Sequence, residues 1–127
     1  MNIHWYPGHM TKSMRLIEEN LRLVDVLVYV LDARAPKSCI NPQFDKLIGT
    51  RLVIYVLNKA DLADKTATTQ FVKALSGARS AVLEMNATAS KSAAAIAATA
   101  KKLCAEKLER YRNKGVKASI KAMVIGV

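Results

Sequence analysis

The sequence predicts an α/β domain in three layers, a parallel β-sheet with helices on both faces. Short apolar, β-branched runs recur at 24–32, 53–57, 81–86 and 120–127. The segments between them place apolar residues at helical spacing, and no Asn-Gly or Asp-Gly hairpin signal separates any two runs. Strands joined by helices rather than tight turns pair in parallel, and runs apolar on both faces need cover on both sides. With 127 residues, 51% of them apolar, the chain can form one domain with a sizeable core.

Residues 1–23 read as an N-terminal segment and helix ahead of the βα units of 24–127. Trp5-Tyr6-Pro7-Gly8-His9-Met10 is aromatic and turn-rich, and Thr11 can cap a helix with Met14, Ile17 and Leu21 on one stripe. The run 24–32 is a strand apolar on both faces apart from Asp25, and it ends in the polar stretch Asp32-Ala33-Arg34-Ala35-Pro36. Asn41-Pro42 is a helix start, cap followed by first helical residue, for a short helix through Phe44, Leu47 and Ile48 that stops at Gly49.

The second strand, 53–57, runs into Asn58-Lys59-Ala60-Asp61. Asp64 or Thr66 starts the next helix, with Phe71, Val72 and Leu75 turned inward and Gly77 ending it. After the third strand at 81–86, Ser90 opens an Ala-rich helix expected to run unbroken to about Asn113, with Lys114-Gly115 as its stop. Ile96, Ala100, Leu103, Cys104 and Tyr111 make its expected buried stripe. The fourth strand is 120–127.

Twenty basic residues against ten acidic ones give a net charge of +10, which points to a polyanionic partner, RNA being the simplest. Most of the excess lies on the last helix and just beyond it, where Lys101, Lys102, Lys107, Arg110, Arg112, Lys114, Lys117 and Lys121 stand against Glu106 and Glu109. A solvated basic face kept for solubility is the plain alternative. Cys39 and Cys104 stand in unrelated contexts without metal-ligand spacing and read as reduced thiols. No apolar run reaches the length of a membrane span and residues 1–5 show no export signal, so a cytoplasmic protein without a membrane partner is expected.

The Asn58-Lys59-Ala60-Asp61 tetrad closes a hydrophobic strand, where a parallel sheet places its ligand loops. An ionised Asp61 can accept from the ring N1–H and the exocyclic amine of guanine together. Adenine presents an acceptor at N1 and nothing at C2, a mismatch worth roughly 10⁴-fold. Asn58 can tie the loop together or meet the base edge, and the Lys59 stem can lie along the purine face. The competing reading is an ordinary strand-to-helix turn in which Asp61 or Asp64 caps the next helix.

Together, Trp5-Tyr6-Pro7-Gly8-His9-Met10, Asp32-Ala33-Arg34-x-Pro36 and Asn58-Lys59-Ala60-Asp61 resemble the circularly permuted GTPases, most closely the bacterial ribosome biogenesis GTPase A family, over essentially the whole chain. The resemblance implies a P-loop GTPase-like fold in which the guanine-reading elements precede the phosphate loop. It implies that Asn58, Lys59, Ala60 and Asp61 read guanine. Asn86-Ala87-Thr88 resembles the second guanine-contacting loop, whose main-chain N–H meets the base O6, and a main-chain contact tolerates Ala87 where relatives often carry a small hydroxyl residue. His9 resembles the histidine that positions or activates the attacking water, with a turn residue bonded near Trp5 as the alternative. Asp32, Arg34 and Pro36 either border the nucleotide or brace their loop.

GTP or GDP is the implied ligand, and a monomer acting on rRNA in the large ribosomal subunit is the implied setting. Residues 122–127 resemble the strand before a Gly-Lys-Ser/Thr loop, but that loop is not among the 127 residues. A truncated part of the family domain is therefore expected, with Mg²⁺ bound and GTP hydrolysed only by the complete domain. The last strand is expected beside the first, in the spatial order four, one, two, three, leaving an exposed edge at 123–127. A basic, non-catalytic RNA-binding α/β module is the alternative function. A dinucleotide dehydrogenase fits poorly, since Asp32-Ala33-Arg34 stands where its glycine-rich turn belongs.

Overall fold

Each predicted strand alternates its side chains between two apolar layers, and this sets the architecture. The computed structural model describes residues 2–7, 17–34, 48–49, 51–77, 79–85, 89–115 and 119–126. Its strands are β1 (Asn2–Pro7), β2 (Val26–Asp32), β3 (Leu52–Asn58), β4 (Ser80–Met85) and β5 (Lys121–Gly126), in the order β1-β5-β2-β3-β4. Every pairing is parallel. Helix α1 is Lys65–Leu75, α2 is Ala89–Leu103 and α3 is Ala105–Asn113.

Leu27, Tyr29, Leu31, Val53, Leu57, Met123 and Ile125 point to one face, where they bury Ile17, Leu21 and Phe71. Val26, Val28, Ile54, Val56, Ala122 and Val124 point to the other, against Ala100 and Cys104. The period of two in each strand thus supplies two cores, each covered by helical residues, and the three-layer expectation holds. Tyr29 and Tyr55 face each other across β2 and β3, their rings stacked with centroids 6.1 Å apart.

The last strand does insert beside β2, in register Val26↔Ala122 through Val30↔Gly126. Its outer edge, however, is not exposed. Residues 2–7, of which 5–7 were expected to belong to a turn-rich segment, form β1 and pair with β5 from Asn2↔Lys121 to Pro7↔Gly126. The β5 edge carries a row of backbone N–H and C=O groups that need partners, and a segment containing the strand formers Ile3, Trp5 and Tyr6 satisfies them. Pro7, without an N–H, stands where an outer strand tolerates it, at the end of an edge strand.

A second correction concerns the last helix, which is two. Between α2 and α3, Cys104 has φ −91° and ψ 11°, although the Cys104 N–H still bonds the Ala100 carbonyl at 2.9 Å and the Leu108 N–H bonds the Cys104 carbonyl at 3.0 Å. The helical course therefore continues with a bend. Ala100 and Cys104 are buried as expected, and burial pushes the Cys104 thiol up. Tyr111, placed in the same stripe by periodicity, is 36% exposed.

Ile17 and Leu21 are buried within helical residues 17–21, and Gly49 stops the helical turn at Ile48 with φ +50°. Thr11, Met14 and the 41–47 helix start lie outside the described residues. At the end of β5, Gly126 runs so close to β2 that an added Cβ would meet the Val30 carbonyl oxygen and sit 2.9 Å from the Val30 Cβ. Only glycine fits there.

Candidate guanine-reading site

The carboxyl ends of β2 and β3 lie side by side, with Asp32 opposite Asn58 in the ladder. The Ala33 N–H donates to the Asn58 carbonyl at 2.8 Å, so the loops leaving the two strands start out joined. The Asn58 side-chain oxygen accepts from the Lys59 N–H at 3.0 Å. This is the loop-tying role available to Asn58 from its chemistry.

Lys59 then turns left-handed, φ 59° and ψ 37°, the only non-glycine at positive φ among the described residues. Such a conformation costs a lysine about 1–2 kcal/mol relative to the ordinary helical region and persists where its surroundings fix it. Here the turn reverses the chain from β3 directly into a 3₁₀ helix, Ala60–Leu62, closed by Leu62 N–H to Lys59 carbonyl at 3.0 Å and Ala63 N–H to Ala60 carbonyl at 3.3 Å. Asp61 lies in its first turn and is exposed.

The capping alternative resolves between the two aspartates. Asp64 caps α1, its carboxylate accepting from the Thr66 and Ala67 N–H groups at 3.4 Å each. Asp61 precedes that cap by three residues and lies on the carboxyl edge of the sheet. An exposed carboxylate on a rigid turn, beside a lysine held in one backbone conformation, fits the paired donors of a guanine edge.

Asp32 and Arg34 form a brace. The Asp32 carboxylate accepts from the Arg34 N–H at 3.0 Å, from Nε at 3.0 and 3.3 Å and from one terminal nitrogen at 2.7 Å. These bonds hold the Asp32 carboxyl far below the usual carboxylate range and raise the already high Arg34 pKa. The Lys59 ammonium lies 3.9 Å from the same carboxylate, so the first loop also steadies the second. His9, Pro36, Asn86, Ala87 and Thr88 lie outside the described residues.

The basic cluster is at the other end of the sheet. Around the α2–α3 bend, Arg79, Lys102, Lys107 and Arg110 line a cleft of about 620 Å³ with Leu52, the first residue of β3. Lys101, Lys102, Arg110, Arg112 and Lys114 are exposed. Lys107 differs from what periodicity implied. Its ammonium is paired with Asp25, and the second oxygen of Asp25 accepts from the Lys121 N–H at 2.8 Å. That ion pair raises the Lys107 pKa. Asp25, the one charge in an otherwise apolar run, was the sequence signal for such a partner.

No protein-family model matches the chain. Over its whole length it is 39% identical, across 129 aligned residues, to Ribosome biogenesis GTPase A of Priestia megaterium, of which it covers 45%. It is 38% identical, across 128 residues, to the protein of that name from Bacillus cereus, of which it covers 43%. Over 71 residues, 56% of the chain and 22% of the relative, it is 44% identical to Mitochondrial ribosome-associated GTPase 1 of Mus musculus. The chain thus spans a little under half the length of the bacterial relatives it matches along its full extent. The parallel sheet and the identity sustained from end to end agree: this chain belongs to the ribosome biogenesis GTPase A family.

Proposed function

We propose that the chain is the guanine-reading part of a cytoplasmic, monomeric GTPase that acts in assembly of the large ribosomal subunit. The observation that carries this is the loop after β3, where a left-handed Lys59 delivers Asp61 to the carboxyl edge of the sheet on a 3₁₀ turn while Asp64 takes over the capping of α1. In this reading Asp61 grips the N1–H and amino group of guanine in GTP or GDP, Asn58 holds the loop, and the Lys59 stem covers one face of the base. Asn86, Ala87 and Thr88 supply the main-chain contact to O6, and His9 orients the attacking water in the complete enzyme.

Phosphoryl transfer needs a main-chain nest, a lysine for the terminal phosphates and a hydroxyl for Mg²⁺. No Gly-Lys-Ser/Thr motif occurs in the 127 residues, so by themselves they are expected to bind guanine without turning GTP over. Magnesium-dependent phosphate release by this chain would refute that part.

Titration of a fluorescent GDP tests the assignment directly. Asp61→Asn should weaken binding by about 100-fold or more, because the amide cannot accept from both donors of the base. Equal affinity for wild type and variant overturns the guanine reading. The ribosomal role draws support from the basic edge around α2 and α3, whose exposed Lys101, Lys102, Arg110, Arg112 and Lys114 are proposed to meet rRNA phosphates, Lys107 being engaged by Asp25. That same edge favours a second reading, a non-catalytic RNA-binding module. Salt-sensitive RNA binding together with no guanine-nucleotide binding at all would select it.

A further inference from the structure

Tyr111 should be core by its spacing, yet it stands exposed on α3, beside Lys107, Arg110 and Arg112. It lines a groove of about 320 Å³ with Lys107, Arg110 and Lys114, at the small end of the roughly 300–1,000 Å³ of ligand sites. These four residues follow one another at helical spacing along one flank of α3 and just past its end, while Glu106, Glu109 and Asn113 line the adjoining flank, with Arg110 between the two. Both acidic residues of the helix thus lie off the flank that carries Tyr111.

The ring is also held in place. The Lys107 ammonium lies 5.8 Å from the Tyr111 ring centroid while paired with Asp25, which ties α3 to the amino-terminal end of β2. An exposed, oriented aromatic face flanked by Arg110 and Lys114 has the composition of a stacking platform for an unpaired base with cations for the phosphates beside it. A duplex keeps its bases stacked on one another and cannot use such a ring.

We propose that α3 is a single-strand RNA contact, with an unpaired nucleobase stacked on Tyr111 and its flanking phosphates on Arg110 and Lys114. This deepens, and rests on, the ribosomal reading given above. Strand polarity adds a consequence. Asp32 and Asn58 end β2 and β3, whereas Asp25 and Leu52 stand at their beginnings, so the two sites lie about 20 Å apart at 3.3 Å per residue. RNA and guanine nucleotide are then bound together and do not compete.

The test is fluorescence-anisotropy titration of the 127-residue chain with a labelled single-stranded RNA of about ten nucleotides and its duplex form, at two salt concentrations. Tyr111→Ala should weaken single-strand binding about tenfold, and Tyr111→Phe, which keeps the aromatic face, should restore it. Arg110→Ala should weaken binding and lower the salt dependence by roughly one phosphate contact. Saturating GDP should not displace the RNA. Circular dichroism of Tyr111→Ala with helix and melting temperature unchanged confirms that the contact itself was lost. The proposal is overturned if Tyr111→Ala binds as wild type does, if the duplex binds as tightly as the single strand, or if polyglutamate displaces RNA equally from wild type and Tyr111→Ala. Asp61-dependent GDP binding in the same samples separates that failure from failure of the guanine reading.

Discussion

Asp25 and Lys107 are 82 residues apart in sequence and meet in an ion pair that fastens α3 to the start of β2. Asp25 also accepts the Lys121 N–H, and its own N–H donates to the Lys121 carbonyl at 2.7 Å, so one residue joins β2, β5 and α3.

Removing the two partners of that pair should have unequal effects. Asp25→Ala leaves a half-buried site with an amide and an ammonium both short of a protein acceptor, and should cost about 1–2 kcal/mol in urea unfolding. Lys107→Met keeps the apolar stem and leaves Asp25 its amide, and should cost about 1 kcal/mol or less. The raised Lys107 pKa also fixes a sign. Its contribution is complete below the ordinary value of 10.5 and fades only as pH rises through the higher folded value. The stability difference between wild type and Lys107→Met should therefore be constant from pH 7 to 9 and shrink only as the pH rises past 10.5.

Asp61 and Asp64 should separate affinity from stability. Asp64→Ala removes two capping bonds of 3.4 Å, long for good hydrogen bonds, so the loss belongs at the lower end of the capping range, about 0.5–1 kcal/mol. GDP affinity should stay within about twofold of wild type. Thermal melts and nucleotide titrations on the same samples check both halves, and a large affinity loss in Asp64→Ala would show that the sites are not separable.

Gly126→Ala should be strongly destabilising for so small a change. The new methyl would lie 2.9 Å from the Val30 Cβ and 3.1 Å from its carbonyl carbon, in a ladder between β5 and β2 that cannot open without loss of its bonds. A cost of about 2 kcal/mol or more is expected, read as a lower urea midpoint. Gly115→Ala is the control, because nothing lies within 4 Å of its added Cβ. Its φ of +70° should make it cost only about 1 kcal/mol.

The Asp32–Arg34 brace should survive mild acid. Because the folded Asp32 pKa is depressed, its contribution is present above the ordinary value of 3.8 and is lost only as pH falls through the lower folded value. Protection of the Arg34 amide against hydrogen exchange, corrected for the intrinsic rate, should be constant between pH 7 and pH 5. In Asp32→Asn it should already be reduced at pH 7. A protection that declines between pH 6 and 5 in wild type would contradict the depressed pKa.

What the chain states about itself locally was legible. The apolar, β-branched runs gave β2 to β5 to within two residues or so, and the spacing of Phe71, Val72 and Leu75 gave the inward face of α1. The motifs gave the family. All of these depend on residues within a few positions of one another, where backbone geometry and side-chain direction follow from sequence directly.

Tertiary structure decided the rest. Whether residues 2–7 form a turn or a strand depends on a free edge contributed more than a hundred residues later by β5. Which aspartate caps α1 depends on Lys59 adopting the left-handed conformation, and whether Lys107 faces water depends on Asp25 reaching it from another element. Tyr111 has core spacing but lies beyond the sheet that would cover it, because α2 has already spanned the strands before α3 begins. Periodicity records which side chains share a face, and only the packed neighbours determine whether anything lies against it.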